Sequence, residues 1–309
     1  MKGNKESIAF PTASMSSTKR FALWSVPSPW ADYLELTKPR LLFMVLLSTM
    51  VGFYLGTSGL VRYSLTLATL FGTMLVGGGS MVLNQFLERD SDAKMVRTQN
   101  RPIPQGRLHP NEALAFGVAM SIGGFLLFVF FVNWASTFFA FTTWATYLFV
   151  YTPLKKKTSL STIAGAFPGA FPVLIGWAAA RGSVSFEPAL LFFIVFFWQL
   201  PHFLAIAWMY RADFVRAGFP MLSVFEGSGS LVARQMILNI CALIPVSLLP
   251  TIFGLTGTIY FFGAFSLGLL FAAVVIFAAS NLDGRARYVL RASIVYLAIL
   301  LILMIVDKV

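Results

Sequence analysis

Nine stretches of roughly 20 apolar residues run through this chain, at 41–59, 64–87, 112–133, 135–151, 161–180, 188–210, 236–254, 257–279 and 287–306. A run of that length, coiled as a helix, matches the hydrocarbon thickness of a bilayer. In lipid only helices and closed barrels satisfy their own backbone, and barrel strands alternate polar with apolar side chains instead of running them together. The expectation is an all-α integral membrane protein with nine transmembrane helices. At 58% apolar and 11% charged residues, against about 45–50% and about 25% in soluble domains, the chain is excluded from the water-soluble enzymes. The third and fourth runs touch at Asn133 and Trp134, which demands a very tight turn between them.

Charge orients the spans. With the N-terminus inside, 20 of the 23 Lys and Arg fall on the inner side, leaving Arg62, Arg181 and Lys308 outside. Positive charge stays cytoplasmic in short loops, so the reading is N-terminus cytoplasmic, C-terminus outside. Residues 1–40 form a polar, basic arm with no apolar core of signal-peptide length, and Glu6, Asp32 and Glu35 distinguish it from a transit peptide. Residues 41–309 then make a single transmembrane domain. The formal charge of +11 points first to anionic membrane lipid and second to an anionic substrate, with no nucleic acid implied. One cysteine, Cys241, excludes an internal disulfide. Two inner loops, 88–111 and 211–235, are long and charged, and follow the second and sixth spans.

The second span ends in GGGSMVLNQFLERDSDAKMVRTQNRPIPQGR, Gly77 to Arg107. Gly77, Gly78, Gly79 and Ser80 allow close approach of a neighbouring helix. Asn84, Glu88 and Asp92 recur every fourth residue and so stack on one helical face, adjacent members about 6 Å apart along the axis. Too far apart for all three to close on one ion, they suit Mg²⁺ ions shared with a phosphate-bearing substrate. Asp90 points elsewhere. Arg97 and Arg101 follow, four apart, before Pro102 and Pro104 break any helix; oxygen ligands beside guanidinium forks make a mixed metal and phosphate site. A solvated helix end laced with salt bridges is the plain alternative. His109 reads as an ordinary loop histidine.

The next inner loop carries Lys155, Lys156 and Lys157, preceded by a turn expected at Tyr151-Thr152-Pro153. Such lysines serve as lipid anchors or line a diphosphate pocket. In the sixth span Trp198, Gln199 and His202 interrupt an apolar helix beside Pro201, where polar groups are costly and therefore functional by default. Asp213, eleven residues on and about 20° off the same face if the helix is unbroken, would mirror Asp92, with Arg211 and Arg216 beside it.

Together LTKPRLL from Leu36, the Asn84–Arg107 stretch, YTPLKKKTSLSTIAGAFPGAFPVLIGWAAARG from Tyr151 and WQLPHFLAIAWMYRADFVRAGFPML from Trp198 resemble the UbiA-type intramembrane prenyltransferases, in particular their heme-specific branch. The resemblance implies nine helices around a central cavity opening to the cytoplasmic face of a bacterial inner membrane. It implies transfer of farnesyl from farnesyl diphosphate to heme B, giving heme O and diphosphate, with Mg²⁺ as cofactor and heme A synthase as the candidate recipient of product. On this reading Asn84, Glu88, Asp92 and Asp213 hold metal, and Arg97, Arg101, Lys155 and Lys156 contact diphosphate. Tyr151, Trp198, Gln199 and Tyr210 line the substrate pocket; Asp92, His202 and Asp213 are catalytic. Two departures stand out: Glu88 replaces the superfamily's Asp, and His202, Met209 and Asp213 occupy the spacing of its second, aspartate-rich motif. The rival readings are a prenyltransferase with another acceptor, such as a quinone precursor, a heme or secondary transporter, and a purely structural membrane subunit. The gathering of acids and bases at inner helix ends favours an enzyme over a transporter, which needs access from both sides.

Overall fold

The computed structural model describes residues 29–309 apart from 184 and 226; most of the expected basic arm lies outside the described residues. All regular structure is helical save one isolated bridge, Thr256 with Lys308. In chain order the helices are α1 (Pro29–Leu36), α2 (Pro39–Gly56), α3 (Tyr63–Asp92), α4 (Pro110–Phe131), α5 (Trp134–Ala145), α6 (Thr152–Leu154), α7 (Ser161–Arg181), α8 (Glu187–Met209), α9 (Arg211–Ala217), α10 (Leu222–Phe225), α11 (Ser230–Ile252), α12 (Thr258–Ala279) and α13 (Leu282–Val306). Eight of them (α2, α3, α4, α7, α8, α11, α12 and α13) are long and apolar enough to cross a membrane. α5 alone is short, but it runs on through a π-helical turn, Thr146–Tyr151, into α6. The apolar run at 135–151 is therefore one continuous helical path with altered winding. Large side chains such as Phe130, Phe262, Leu270 and Val306 project outward, as lipid-facing surfaces require.

Small residues set the packing. A Cβ at Gly79 of α3 would lie 2.8 Å from Gly117 O of α4, and one at Gly176 of α7 would press on Thr49 O and lie 2.6 Å from Phe53 N of α2. Only glycine lets these backbones come so close. The tight turn between α4 and α5 is Val132-Asn133. Asn133 Oδ1 accepts from Ser136 N at 2.9 Å, capping α5, while its amide donates to Ala178 O at 3.0 Å and so ties the turn to α7. α8 packs against α7, α11 and α13 around a core that includes Trp177, Trp208 and Tyr260.

Two features of the sequence reading are corrected. The helix bearing His202 does not continue to Asp213: the backbone leaves helical geometry at Tyr210 (φ −111°, ψ 21°), and Asp213 belongs to the separate short helix α9. Nor do Tyr151-Thr152-Pro153 form a turn. Proline is tolerated in a first helical turn, so the path stays helical to Leu154 and turns at the lysines themselves.

The loops that follow α3 and α8 pack on each other through Met95, Ala207, Phe214, Phe219 and Met221. Val96 N donates to Asp213 Oδ1 at 2.9 Å across this contact. α1 is pinned to the α3–α4 loop by Arg107, which pairs with Asp32 and with Glu35, the latter at 2.8 Å. His109 caps α4: Asn111 N donates to its Nδ1, and its own N–H donates to Glu112. A cavity of about 270 Å³ lined by Phe139, Phe167, Phe171, Leu174, Phe192 and Phe193 lies between α5, α7 and α8.

Candidate active site

The end of α3 supplies the axis of the site. Asn84, Glu88 and Asp92 are each about 98% buried, on one face as their spacing requires, while Asp90 is exposed. Each meets a partner brought from elsewhere in the chain. Lys155, just past α6, donates to both Glu88 oxygens at 3.2 and 3.1 Å. Arg101 folds back onto Asp92 Oδ2 at 2.5 Å, and Thr98 Oγ1 donates to Asp92 O at 2.9 Å. Asn84 Nδ2 donates to Thr152 Oγ1 at 3.0 Å. The salt-bridge alternative is thus correct for Asp92–Arg101, yet these pairs are enclosed, not solvated.

Arg97 is placed differently from Arg101. It forms no ion pair among the described residues, and its guanidinium lies 5.1 Å from the centroids of both Tyr210 and Phe214. Burial, and then repulsion by Arg101, draws its pKa below the usual arginine value, though a guanidinium stays charged. Lys155 is held over Phe219 (4.7 Å) and Tyr151 (5.9 Å). Burial works against its charge, but Tyr151 and Glu88 outweigh this and its pKa is raised. Tyr151 in turn stacks on Tyr147 and presses on α7 at Gly165. Asp213 joins the ensemble through Val96 N and is also paired with Arg216, so it anchors the loop that carries Arg97.

Lys38 was not singled out by the sequence reading. Its backbone is left-handed, with φ 50°, a conformation that costs a non-glycine residue about 1–2 kcal/mol. That geometry turns Nζ back toward α3, where it donates to Asn84 Oδ1 at 3.4 Å. Burial first, then repulsion from Arg101 and Lys155 against attraction to Glu88 and Asp92, lowers its pKa to about 7. The one local signal was the following proline, which disfavours a right-handed helical conformation at Lys38.

The remaining expected residues divide. Trp198 and His202 face α13: Trp198 Nε1 donates to Ser293 O at 2.6 Å and His202 Nδ1 lies 2.8 Å from Ser293 Oγ. Gln199 instead faces α7, donating to Ala166 O at 3.4 Å and to Val195 O at 3.1 Å. Lys156 is exposed and stands apart from the cluster. Among the described residues, no three His, Cys, Asp or Glu side chains converge as a ready metal cage. Asp92 Oδ1 nevertheless is buried with no hydrogen-bond partner. An enclosed, unsatisfied carboxylate oxygen is costly unless a cation meets it, and magnesium is commonly held by one or two carboxylates plus substrate phosphates. The residues present therefore fit Mg²⁺. Three buried carboxylates, Glu88, Asp92 and Asp213, gathered with Lys38, Arg97, Arg101 and Lys155, form a charged cluster suited to a polyanion accompanied by a divalent cation.

Such a cluster, gathered where the segments after α3 and α8 meet within a bundle of membrane-length helices, places the chain among intramembrane enzymes acting on phosphorylated substrates. The chain belongs to the UbiA prenyltransferase family, whose family model matches residues 45–303. It is 45% identical over 287 residues to a protoheme IX farnesyltransferase of Solibacter usitatus, covering 90% of this chain and 98% of that protein. The fold is similar to a structure described for digeranylgeranylglyceryl phosphate synthase in membranes (TM-score 0.76, 18% identity, 90% of this chain and 98% of that one). It is also similar to a UbiA homolog from Archaeoglobus fulgidus bound to DMAPP and Mg²⁺ (TM-score 0.68, 14% identity, 89% and 98%). Family membership sets aside the transporter and structural-subunit readings.

Proposed function

We propose that this chain transfers the farnesyl group of farnesyl diphosphate to a vinyl group of protoheme IX, giving heme O and diphosphate. The observation that carries this reading is the 45% identity, over 90% of this chain, with a protoheme IX farnesyltransferase; the buried carboxylate and cation cluster gives it chemistry. Eight apolar helices together with the α5–α6 path make nine crossings. The charge bias then sets the N-terminus and the active site at the cytoplasmic face of a bacterial inner membrane, with the C-terminus outside.

Ionisation of the allylic C–O bond leaves a carbocation and a highly charged diphosphate, so the leaving group must be neutralised before the bond breaks readily. Arg97, without a carboxylate partner among the described residues, contacts its oxygens, with Arg101, Lys155 and Lys38 around it and Lys156 at the rim. Asn84, Glu88 and Asp92 would hold Mg²⁺, with Asp213 on the opposite side; Asp92 Oδ1 is the ligand atom the fold leaves open. When bound, Mg²⁺ supplies further charge neutralisation to the diphosphate. The aromatic faces of Tyr151 and Tyr210, which lie beside Lys155 and Arg97, keep water from the cation and favour its charge. The terminal vinyl carbon attacks, the positive charge passes to the inner vinyl carbon, and water adds there as hydroxyl with release of a proton.

The test offers purified protein in vesicles farnesyl diphosphate with heme B and an aromatic acid side by side, and identifies the product by mass. Heme O alone is expected; a prenylated aromatic acid would overturn the acceptor assignment. Asp92→Asn and Arg97→Ala are expected to reduce product formation by at least about a hundredfold, the scale of losing one preorganised electrostatic contact to the transition state. Expression and membrane insertion should be unchanged.

A further inference from the structure

His202 lies in α8, seven residues before its end at Met209, about 10 Å along the helix from the loops that carry the site. Its ring is fixed. Trp198 stacks on it with centroids 5.3 Å apart at 28°, and Phe203 meets it edge-on at 5.7 Å. Trp198 is itself tied down through its indole N–H to Ser293 O. The hydrogen-bond chain also favours one tautomer. Ser293 Oγ has one proton and gives it to Leu290 O at 2.8 Å. Toward His202 Nδ1, at 2.8 Å, the same oxygen acts as acceptor, so Nδ1 carries the hydrogen and Nε2 the lone pair.

Nε2 has no hydrogen-bond partner among the described residues, and the residue is partly exposed. It therefore presents an open lone pair. A neutral imidazole with a bonded Nδ1–H and an open Nε2 is the metal-ligating form of histidine. A single nitrogen does not retain a free divalent ion, and no group of three His, Cys, Asp or Glu side chains gathers around it among the described residues. A metalloporphyrin differs: its iron brings four ring nitrogens and needs only an axial donor from protein, while aromatic surfaces like those of Trp198 and Phe203 suit the macrocycle.

We infer that His202 Nε2 is the axial ligand to the iron of an iron-porphyrin acceptor, with Ser293 as the positioning residue that holds the ligating tautomer. This rests on the acceptor reading above and adds how the acceptor is held. The chain has two histidines, and the other, His109, is an exposed helix cap using Nδ1 as acceptor, which makes it the natural control.

The experiment titrates heme B into the full-length protein in nanodiscs and reads the Soret band, spin state and affinity. Wild type and His109→Ala are expected to share a histidine-ligated spectrum. His202→Ala should lose it with affinity at least tenfold weaker, and added imidazole should restore the spectrum. His202→Gln, which keeps a donor for Ser293 Oγ but no ring nitrogen, should also lose it. Ser293→Ala should keep a ligated spectrum at about 10–100-fold lower affinity, the range for disturbing a partner behind a metal ligand. Metal-free protoporphyrin should bind wild type and His202→Ala alike, and both should bind farnesyl diphosphate equally. An unchanged spectrum and affinity in both His202 variants, or an equal loss in His109→Ala, overturns the inference. Wild type that makes heme O while the His202 variants stay spectrally normal sinks the ligand alone; wild type that fails to bind heme B sinks the acceptor reading with it.

Discussion

At the scale of single residues, the site works by placing charges where they are costly when empty. Lys38 is the clearest case. Its pKa is lowered to about 7, through burial and through Arg101 and Lys155, opposed by Glu88 and Asp92. An incoming diphosphate favours the ammonium and raises that pKa, so above pH 7 binding takes up a proton. Affinity is expected to be insensitive to this group below pH 7 and to weaken above it by up to about tenfold per pH unit. Calorimetry with inorganic diphosphate from pH 6 to 9 checks this. The Lys38→Met profile isolates the ligand's own titration, and Lys38→Arg, charged throughout, should remove the slope while retaining binding. A slope identical in wild type and Lys38→Met would refute the role. The sequence displayed Asn84, Glu88 and Asp92 plainly, because a four-residue spacing is a local property of a helix. It hid Lys38 and Ser293: a lysine before a helix and a serine within one look like any other until the fold turns them toward a partner.

Helices and loops carry the next level. Most span boundaries were legible within about three residues, since hydrocarbon thickness acts directly on local composition. By contrast, α11 and α13 begin six and five residues earlier and α3 ends five later, where polar helical turns extend past the apolar run. What the apolar pattern did not register was the π-helical turn at Thr146–Tyr151 and the break at Tyr210, both changes of backbone winding that leave hydropathy untouched. Both matter to the site, as the first delivers Tyr151 and Lys155 and the second lets α9 bring Asp213 against Val96. Close helix crossings give a quantitative test. Gly176→Ala, whose Cβ would press on α2, should destabilise by about 1–3 kcal/mol, as overpacking does. Gly123→Ala, whose Cβ would find only Leu75 at 3.9 Å, should be neutral or stabilising by up to about 1 kcal/mol through helix propensity. Thermal unfolding in one detergent distinguishes the two, and equal losses would contradict the crossing geometry.

For the whole molecule, the organising fact is that the α3–α4 loop and the segment after α8 converge at one end of the bundle, with α1 clamped beneath by Arg107. If that end is cytoplasmic, a Cys241→Ser background should make Lys156→Cys reactive to an impermeant thiol reagent only in inside-out vesicles. A cysteine placed at Arg62 should react only in right-side-out ones. The reverse pattern would invert the topology, and labelling of both from one side would break the count of nine crossings.

By itself the sequence determined that this chain lives in a bilayer, roughly where its apolar spans run, and which face of α3 bears oxygen ligands. Those properties depend on neighbours along the chain, through helical period and the cost of polar backbone in lipid. The tertiary structure alone decided that Lys155 meets Glu88, that Lys38 reaches Asn84, that Arg97 forms no ion pair among the described residues, and that Ser293 orients the ring of His202. Those pairings span 46 to 91 residues and follow from which helices cross and how closely, a choice made by glycine contacts and buried packing far from the groups they align.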